Sequence, residues 1–475
     1  MKNRYVILLF VGLTFLLYFP VLGNGFLTDD YAALYRLLIQ KRVLFEEMVR
    51  PLIDISFYFN YLVFGLHPFG YYLFNFCIHG LACFMVFRVA SDLPLFGGVR
   101  QRVFALTAGF FFLVYPFHSE AVVWLSGRLS SMAALFGLMA IHIALTKKGV
   151  WGYVLAVGCW WIGLFAYESI VVLPGVLLLF EWIKFREARR FWRGLGVWAG
   201  AGLLWLGMRV IVAGRLLPDY GKEGLAGDAV WLRFVKVLGR CVLPPQENAR
   251  VMLVLFAVAV VVVVLLHVVL WRRGGGWRLS TLELGVVVAL LPAVAFAVST
   301  RTSEGDRLLY FPSCVLCILA AAVVMTLLPG RRWRLAVCGV YALASIVYIA
   351  GVDRRWVFAS RVEERGLGVA GLAVNRAKGR LVLVNAPDEW EGAFIFRNNF
   401  KEELVVNGID TNKVRLTHLL TRLEYLQVDG RIEPVRKDSS VFIWPATWIP
   451  PDSLRVPDLS VFYWNKYEWK PLILR

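Results

Sequence analysis

Met252 to Trp271 reads MLVLFAVAVVVVVLLHVVLW, twenty residues with a single histidine and no other ionisable side chain. As a helix this run is about 30 Å long, which is the thickness of the hydrocarbon core of a bilayer. Lipid offers no partners to a backbone, so such a run spans as a helix, which satisfies its own N–H and C=O groups. Runs of similar length and character recur over the first three quarters of the chain, about eleven in all. The expected fold is therefore an α-helical polytopic membrane protein. The first run, Tyr5 to Leu22, is long for a signal-peptide core and is followed by no A-x-A site, so it reads as an uncleaved anchor.

The chain has 475 residues and a formal net charge of +18. The placement of that charge argues against nucleic acid. Arg88, Arg100 and Arg102, then Lys147 and Lys148, then the group Lys184 to Arg193, then Arg272, Arg273 and Arg278, then Arg331 to Arg334 fall in alternate connections. This is the positive-inside pattern, and with Lys2 and Arg4 it puts the N-terminus in the cytoplasm. An odd number of spans then puts the C-terminus outside. The outer connections are Gly23 to Pro68, Tyr115 to Leu129, Tyr167 to Ser169, Gly214 to Arg250 and Ser299 to Leu308. All but Cys241 of the seven cysteines lie in apolar runs, and Cys314-x-x-Cys317 reads as helix packing.

Within the outer connections, Trp231, Phe234, Val235 and Leu238 follow helical spacing, with Arg233, Lys236 and Arg240 set off that stripe, as in an interfacial helix. Leu52, Ile55, Phe59 and Leu62 share a stripe after Arg50-Pro51, a helix start. From about Trp356 short β-like runs alternate with polar segments: RLVLVNAP, EGAFIFRN, SSVFIWPA and LSVFYW, with Phe400 to Leu404 as a short helix and Pro445, Pro450 and Pro451 as breaks. The expected division is a transmembrane domain over 1–355 and a small periplasmic α/β domain over 356–475.

The candidate chemistry sits in the outer connections. In NGFLTDDYAAL, Thr28 followed by Asp29 and Asp30 reads as an N-cap and two acids in a first helical turn. The same geometry holds a carboxylate rigidly enough to take a proton from a hydroxyl, and the pair is a candidate to share a divalent metal. YPFHSEAVVWLSGR carries His118 and Glu120 as an H-x-E, then Arg128, a phosphate contact or a headgroup anchor. Glu168 lies between two apolar helices with hardly any loop, where an acid needs a partner or water, so it joins Asp29 and Asp30 as a catalytic candidate, the alternative being an interface glutamate. STRTSEGDRLLYFPS brings Arg301, Asp306, Arg307 and Tyr310 to the end of a span. Arg307 there either forks onto a phosphate or pairs with its acidic neighbours. Arg209, about one turn inside its span, is a further phosphate candidate. Arg50 joins His118 and Glu120 as a candidate for holding an acceptor or supporting the site.

Taken in order, GFLTDDY, RPLIDISFYFN, GYYLFNFCIHG, PFHSEAVVWLSGR, YESIVVLP and GDRLLYFPS resemble the GT-C superfamily of integral-membrane glycosyltransferases. The likeness is greatest to the protein O-mannosyltransferase and TPR-bearing O-mannosyltransferase branch. The resemblance implies a donor sugar on a polyprenyl phosphate or diphosphate. It further implies that Asp29 is the base, with Asp30 as partner or metal ligand, and a displacement that inverts the anomeric carbon. The chain departs from that pattern twice. Leu129, Ser130 and Ser131 stand where the family tends to have an acid after G-R, and an α/β domain stands where the TPR array would follow.

The resulting expectation is a bacterial inner-membrane glycosyltransferase acting at the periplasmic face on a cell-envelope glycan, lipid or protein. The rival readings are a transporter or flippase for a lipid-linked substrate, and a glycan ligase using a diphosphate carrier. A transporter places its polar groups near the bilayer midplane on broken helices, whereas these candidates gather at the ends of spans. They are expected to share one pocket.

Overall fold

The structure is a computed structural model that describes residues 3–44, 49–147, 149–214, 230–246, 248–272, 276–296, 298–328, 330–376, 380–420, 434–437, 440–443, 452–455, 459–464 and 469–472. It is mostly helical. The helices in chain order are α1 (Asn3–Tyr18), α2 (Asp29–Leu38), α3 (Pro51–Phe64), α4 (Pro68–Asp92), α5 (Gly98–Leu113), α6 (Ser119–Val123), α7 (Arg128–Thr146) and α8 (Gly149–Leu164). They continue with α9 (Leu173–Phe185), α10 (Ala188–Ala213), α11 (Val230–Arg240), α12 (Ala249–Leu270), α13 (Gly276–Phe296), α14 (Tyr310–Leu327), α15 (Arg331–Arg376) and α16 (Phe400–Val406). Among the described residues, eight helices are long and apolar enough to cross a membrane, and Pro51–Phe64 and Gly149–Leu164 are apolar but shorter. The chain is thus a multi-pass membrane protein with a small α/β portion at its C-terminal end.

Two compact units divide the chain. The first comprises Met1–Phe19, Leu44–Gly65 and Gly70–Val352; the second comprises Pro20–Val43, Leu66–Phe69 and Asp353–Arg475. The stretch holding Asp29 and Asp30 is therefore part of the second unit, whereas the sequence division at 355/356 grouped it with the spans.

In the first unit α4, α7 and α14 form the interior, with α7 packed on α8 and α14 on α5 and α13. Between lipid-embedded helices association rests on close backbone approach, for which small residues are the usual means. Gly80 of α4 supplies one: a Cβ there would sit 2.7 Å from the Cα of Val11. Helix α11 forms as its pattern predicts, but the basic side turns inward. Arg233 and Arg240 are buried and Trp231 is exposed, the reverse of a helix lying with its charges in water.

In the second unit, residues 353–376 continue α15 as helix, where β-like runs were expected from about Trp356. The strands begin with β1 (Arg380–Pro387), and β2 (Glu389–Trp390) and β3 (Ala393–Phe394) form a hairpin. β4 (Val414–Leu420), β1, β8 (Leu459–Trp464) and β9 (Trp469–Leu472) make one sheet in the order β4-β1-β8-β9, parallel except for β9. β1 is a central parallel strand, and its apolar run Leu381, Val382 and Leu383 is buried as such strands require. β5 (Pro434–Lys437), β6 (Ser440–Ile443) and β7 (Asp452–Arg455) form a separate antiparallel sheet. Pro445, Pro450 and Pro451 lie outside the described residues, as does much of the Gly214 to Arg250 connection.

Candidate functional site

In the first unit five of the expected residues are joined in one chain of contacts. Glu120, in the first turn of α6, is 2% exposed and accepts the backbone N–H of Arg307 at 2.9 Å as well as its guanidinium. Arg307 also hydrogen-bonds Tyr167 and lies over the ring of Trp124. The Tyr167 ring carries the Arg50 guanidinium 4.8 Å from its centroid. Arg50 in turn forks onto Glu168, Nε to Oε2 at 3.0 Å and a terminal nitrogen to Oε1 at 2.8 Å. Arg209, 3% exposed, approaches the same carboxylate at 3.6 Å.

The local sequence explains how these groups are presented. Between α6 and α7 the chain turns so tightly that a Cβ on Gly127 would stand 2.1 Å from the carbonyl oxygen of Glu120, so the glycine of the G-R pair holds the acid's backbone. Tyr167-Glu168-Ser169 occupies a turn between α8 and α9, and Pro51 at the start of α3 leaves Arg50 just outside the helix.

The two glutamates differ electrostatically. Burial pushes the Glu168 carboxyl up, but Arg50 and then Arg209 outweigh it and leave it below the usual carboxylate range. At Glu120 burial wins over Arg307, and the carboxyl stands above that range. Glu168 and Arg209 line one end of a cleft of about 250 Å³, and Arg50 reaches the same carboxylate. Trp205, Leu206, Leu291, Pro292 and Phe296 make its apolar walls.

Three expected residues of this unit turn into the core instead. Arg128 is fully buried, donating to the Leu125 and Tyr71 carbonyls and to Asn60 Oδ1, with the Phe57 ring 4.5 Å from its guanidinium. Tyr310 is buried, its hydroxyl 2.6 Å from His79 Nδ1. His118 packs against Phe112, Tyr115 and Tyr310, and its Nε2 lies 2.8 Å from Ser313 Oγ. The Ser313 proton goes to the Tyr310 carbonyl, so His118 Nε2 is the donor. Burial, the largest cause, holds His118 well below its usual range, so the ring is neutral. Arg301 is exposed. Asp306, noted in the sequence beside Arg307, pairs with the buried Arg240.

In the second unit Thr28 has φ 40° and ψ −105°, an outlier for a β-branched residue. Its hydroxyl does not cap α2. It exchanges hydrogen bonds with Asn398, donating to the carbonyl at 3.2 Å and accepting the N–H at 3.1 Å. The Thr28 N–H donates to Glu363 Oε1 at 3.2 Å. Asp29, half-buried, accepts from the Asn399 amide at 2.7 Å, whereas Asp30, fully buried, accepts from the Leu27 N–H at 3.0 Å. The adjacent carboxylates thus serve different donors, and among the described residues no three His, Cys, Asp or Glu side chains are grouped to hold a metal ion. Behind them, Glu363 of α15 faces Glu403 of α16, both buried, and burial pushes Glu403 up to about 8. Asn399, Glu363 and Glu403 carry no motif; Asn399 reads only as a helix start before FKEE.

A multi-pass helical membrane protein with an arginine-laced apolar cleft and a small α/β unit is the class that fold and site define. Within that class the chain is similar to protein O-mannosyl-transferases. It is 41% identical over 91 residues to protein O-mannosyl-transferase Tmtc1 of Drosophila melanogaster, 19% of this chain and 10% of that protein. It is 33% identical over 111 residues to tmtc2 of Xenopus laevis, 23% of this chain and 13% of the relative. With TMTC4 of Mus musculus it shares 36% over 102 residues, 19% of this chain and 14% of the relative. The chain thus spans little more than a tenth of the length of the curated relatives it matches. No protein-family model matches. Among solved structures, ArnT from Cupriavidus metallidurans bound to undecaprenyl phosphate superposes with a TM-score of 0.46 at 13% identity, over 91% of this chain and 93% of that one.

Proposed function

We propose that this protein is a polyprenyl-phosphate-sugar-dependent glycosyltransferase of the bacterial inner membrane, with its N-terminus cytoplasmic and its α/β domain periplasmic. The observation that carries this reading is the apolar cleft lined at one end by Glu168 and Arg209, with Arg50 forked onto the same Glu168 carboxylate. A lipid tail gains from the apolar wall, and a phosphate gains from guanidiniums already oriented by a carboxylate, which need no rearrangement as charge develops on the leaving group. The sequence likeness to O-mannosyl-transferases supports sugar transfer as the chemistry.

In this mechanism Asp29 takes the proton of the acceptor hydroxyl, and the acceptor oxygen attacks the anomeric carbon. The bond to the phosphate oxygen breaks, its electron pair leaves with the polyprenyl phosphate, and the configuration inverts. Glu168 keeps Arg50 and Arg209 in place.

The test is incubation of the purified protein in lipid nanodiscs with radiolabelled undecaprenyl-phosphate mannose, and then with other sugars on the same carrier, together with cell-envelope fractions. Label transferred to an envelope glycan, lipid or protein supports the reading. Passage of the labelled lipid across vesicles with no covalent transfer overturns it in favour of a flippase.

A further inference from the structure

We infer that Asn399, in the turn that opens α16 of the α/β domain, is a positioning residue for Asp29. The inference rests on the reading of Asp29 as the base. The observation behind it is how the Asp29 loop is held. Thr28, immediately before Asp29, sits in a backbone conformation that β-branched residues avoid. Such a conformation persists only where its surroundings over-determine it, and here they do. Glu363 takes the Thr28 N–H, Asn398 both gives to and takes from the Thr28 hydroxyl, and Gly25 donates to Ser360 Oγ at 2.8 Å. The next residue of the same turn, Asn399, donates its amide to Asp29 Oδ1 at 2.7 Å.

Asn399 is suited to this task. Its φ of 61° is left-handed, a conformation asparagine tolerates better than most residues. An amide donor favours the ionised carboxylate without adding charge. A base must be ionised to act. The donor lies 370 residues from its acceptor, yet both belong to the second unit.

Asn399→Gly keeps the left-handed backbone and deletes only the donor; Asn399→Asp keeps the shape and puts a second carboxylate beside the first. Asp29 ionisation is read without any donor substrate by pH-dependent labelling with a hydrophobic carbodiimide, which attacks protonated carboxyls, followed by peptide mass spectrometry at Asp29. The labelling midpoint should rise by about one pH unit in Asn399→Gly and further in Asn399→Asp. With undecaprenyl-phosphate mannose, or whichever carrier-linked sugar proves active, the acid limb of kcat should rise in parallel, with turnover recovering at higher pH. An unmoved midpoint, or a loss of turnover equal at every pH, overturns the positioning role. Full activity in Asp29→Asn instead removes the base assignment and leaves the labelling result to judge the contact itself.

Discussion

The second unit buries a carboxylate pair in a way the first does not. In the first, Glu120, Glu168 and Asp306 are each met by a guanidinium, from Arg307, Arg50 with Arg209, and Arg240. In the second, Glu389 is met by Arg397, but Glu363 and Glu403 meet each other, and no Lys or Arg among the described residues pairs with either. An ion taken out of water costs several kcal/mol, about, and a protein escapes that cost by pairing the charge or by keeping a proton on it. Pairing fixes the guanidiniums in place and holds Glu168 below the usual carboxylate range, although burial still raises Glu120. A retained proton gives an assembly whose packing depends on pH, and it lies behind the loop that carries Asp29.

The sharpest break of this contrast is Asp29→Asn, which removes proton-accepting capacity from the second unit and leaves every arginine of the first in place. Turnover should fall by about 10²–10⁴-fold with insertion and folding unchanged, as measured by sugar transfer alongside thermal unfolding. Next, Arg307→Ala strands a buried Glu120 and should cost about 3–5 kcal/mol of stability. The double variant with Glu120→Gln should recover much of that loss, and two costs that simply add would show that the pair is not coupled.

A smaller effect is expected at Glu403→Gln. An unfolded glutamate releases its proton near pH 4.3, about, whereas the folded one keeps it to about 8. Over that window the folded chain binds more protons, so the stability is complete below the lower value and is lost as pH rises through the upper one. The Gln variant should lose the Glu403 share of this slope in unfolding measured from pH 5 to 9, and an unchanged slope would assign the dependence elsewhere. Smallest of all, Arg301→Ala, at an exposed position, should leave stability within about 0.5 kcal/mol and donor KM unaltered.

Much of the fold is legible because membrane helices are written locally. The run at Met252, the helix opening at Pro51 and the strand RLVLVNAP each follow from composition and period within a few residues. Trp356 misled because a helix that leaves an apolar stretch continues through a mixed segment when its next neighbours bury Trp356, Ala359 and Val362. The site was legible only as a set of residues. Glu120 and Arg307 stood out one by one, but their bond joins positions 187 apart. His118, Arg128 and Tyr310 looked alike in sequence, yet they pack among aromatic rings. Polar residues at span ends serve cores as readily as clefts, and nothing local distinguishes the two. Asn399 was invisible because a helix-start asparagine is commonplace.

The link between Asp29 and Asn399 also sets an order of events during synthesis. The aspartate emerges early and its amide partner 370 residues later, which at ordinary elongation rates is a wait of roughly twenty to seventy seconds. Through that interval the opening loop has no template for its strained threonine. A chain that stops before Asn398 therefore has the Asp29 loop without the groups that hold it, the Asn398 backbone and the Asn399 amide.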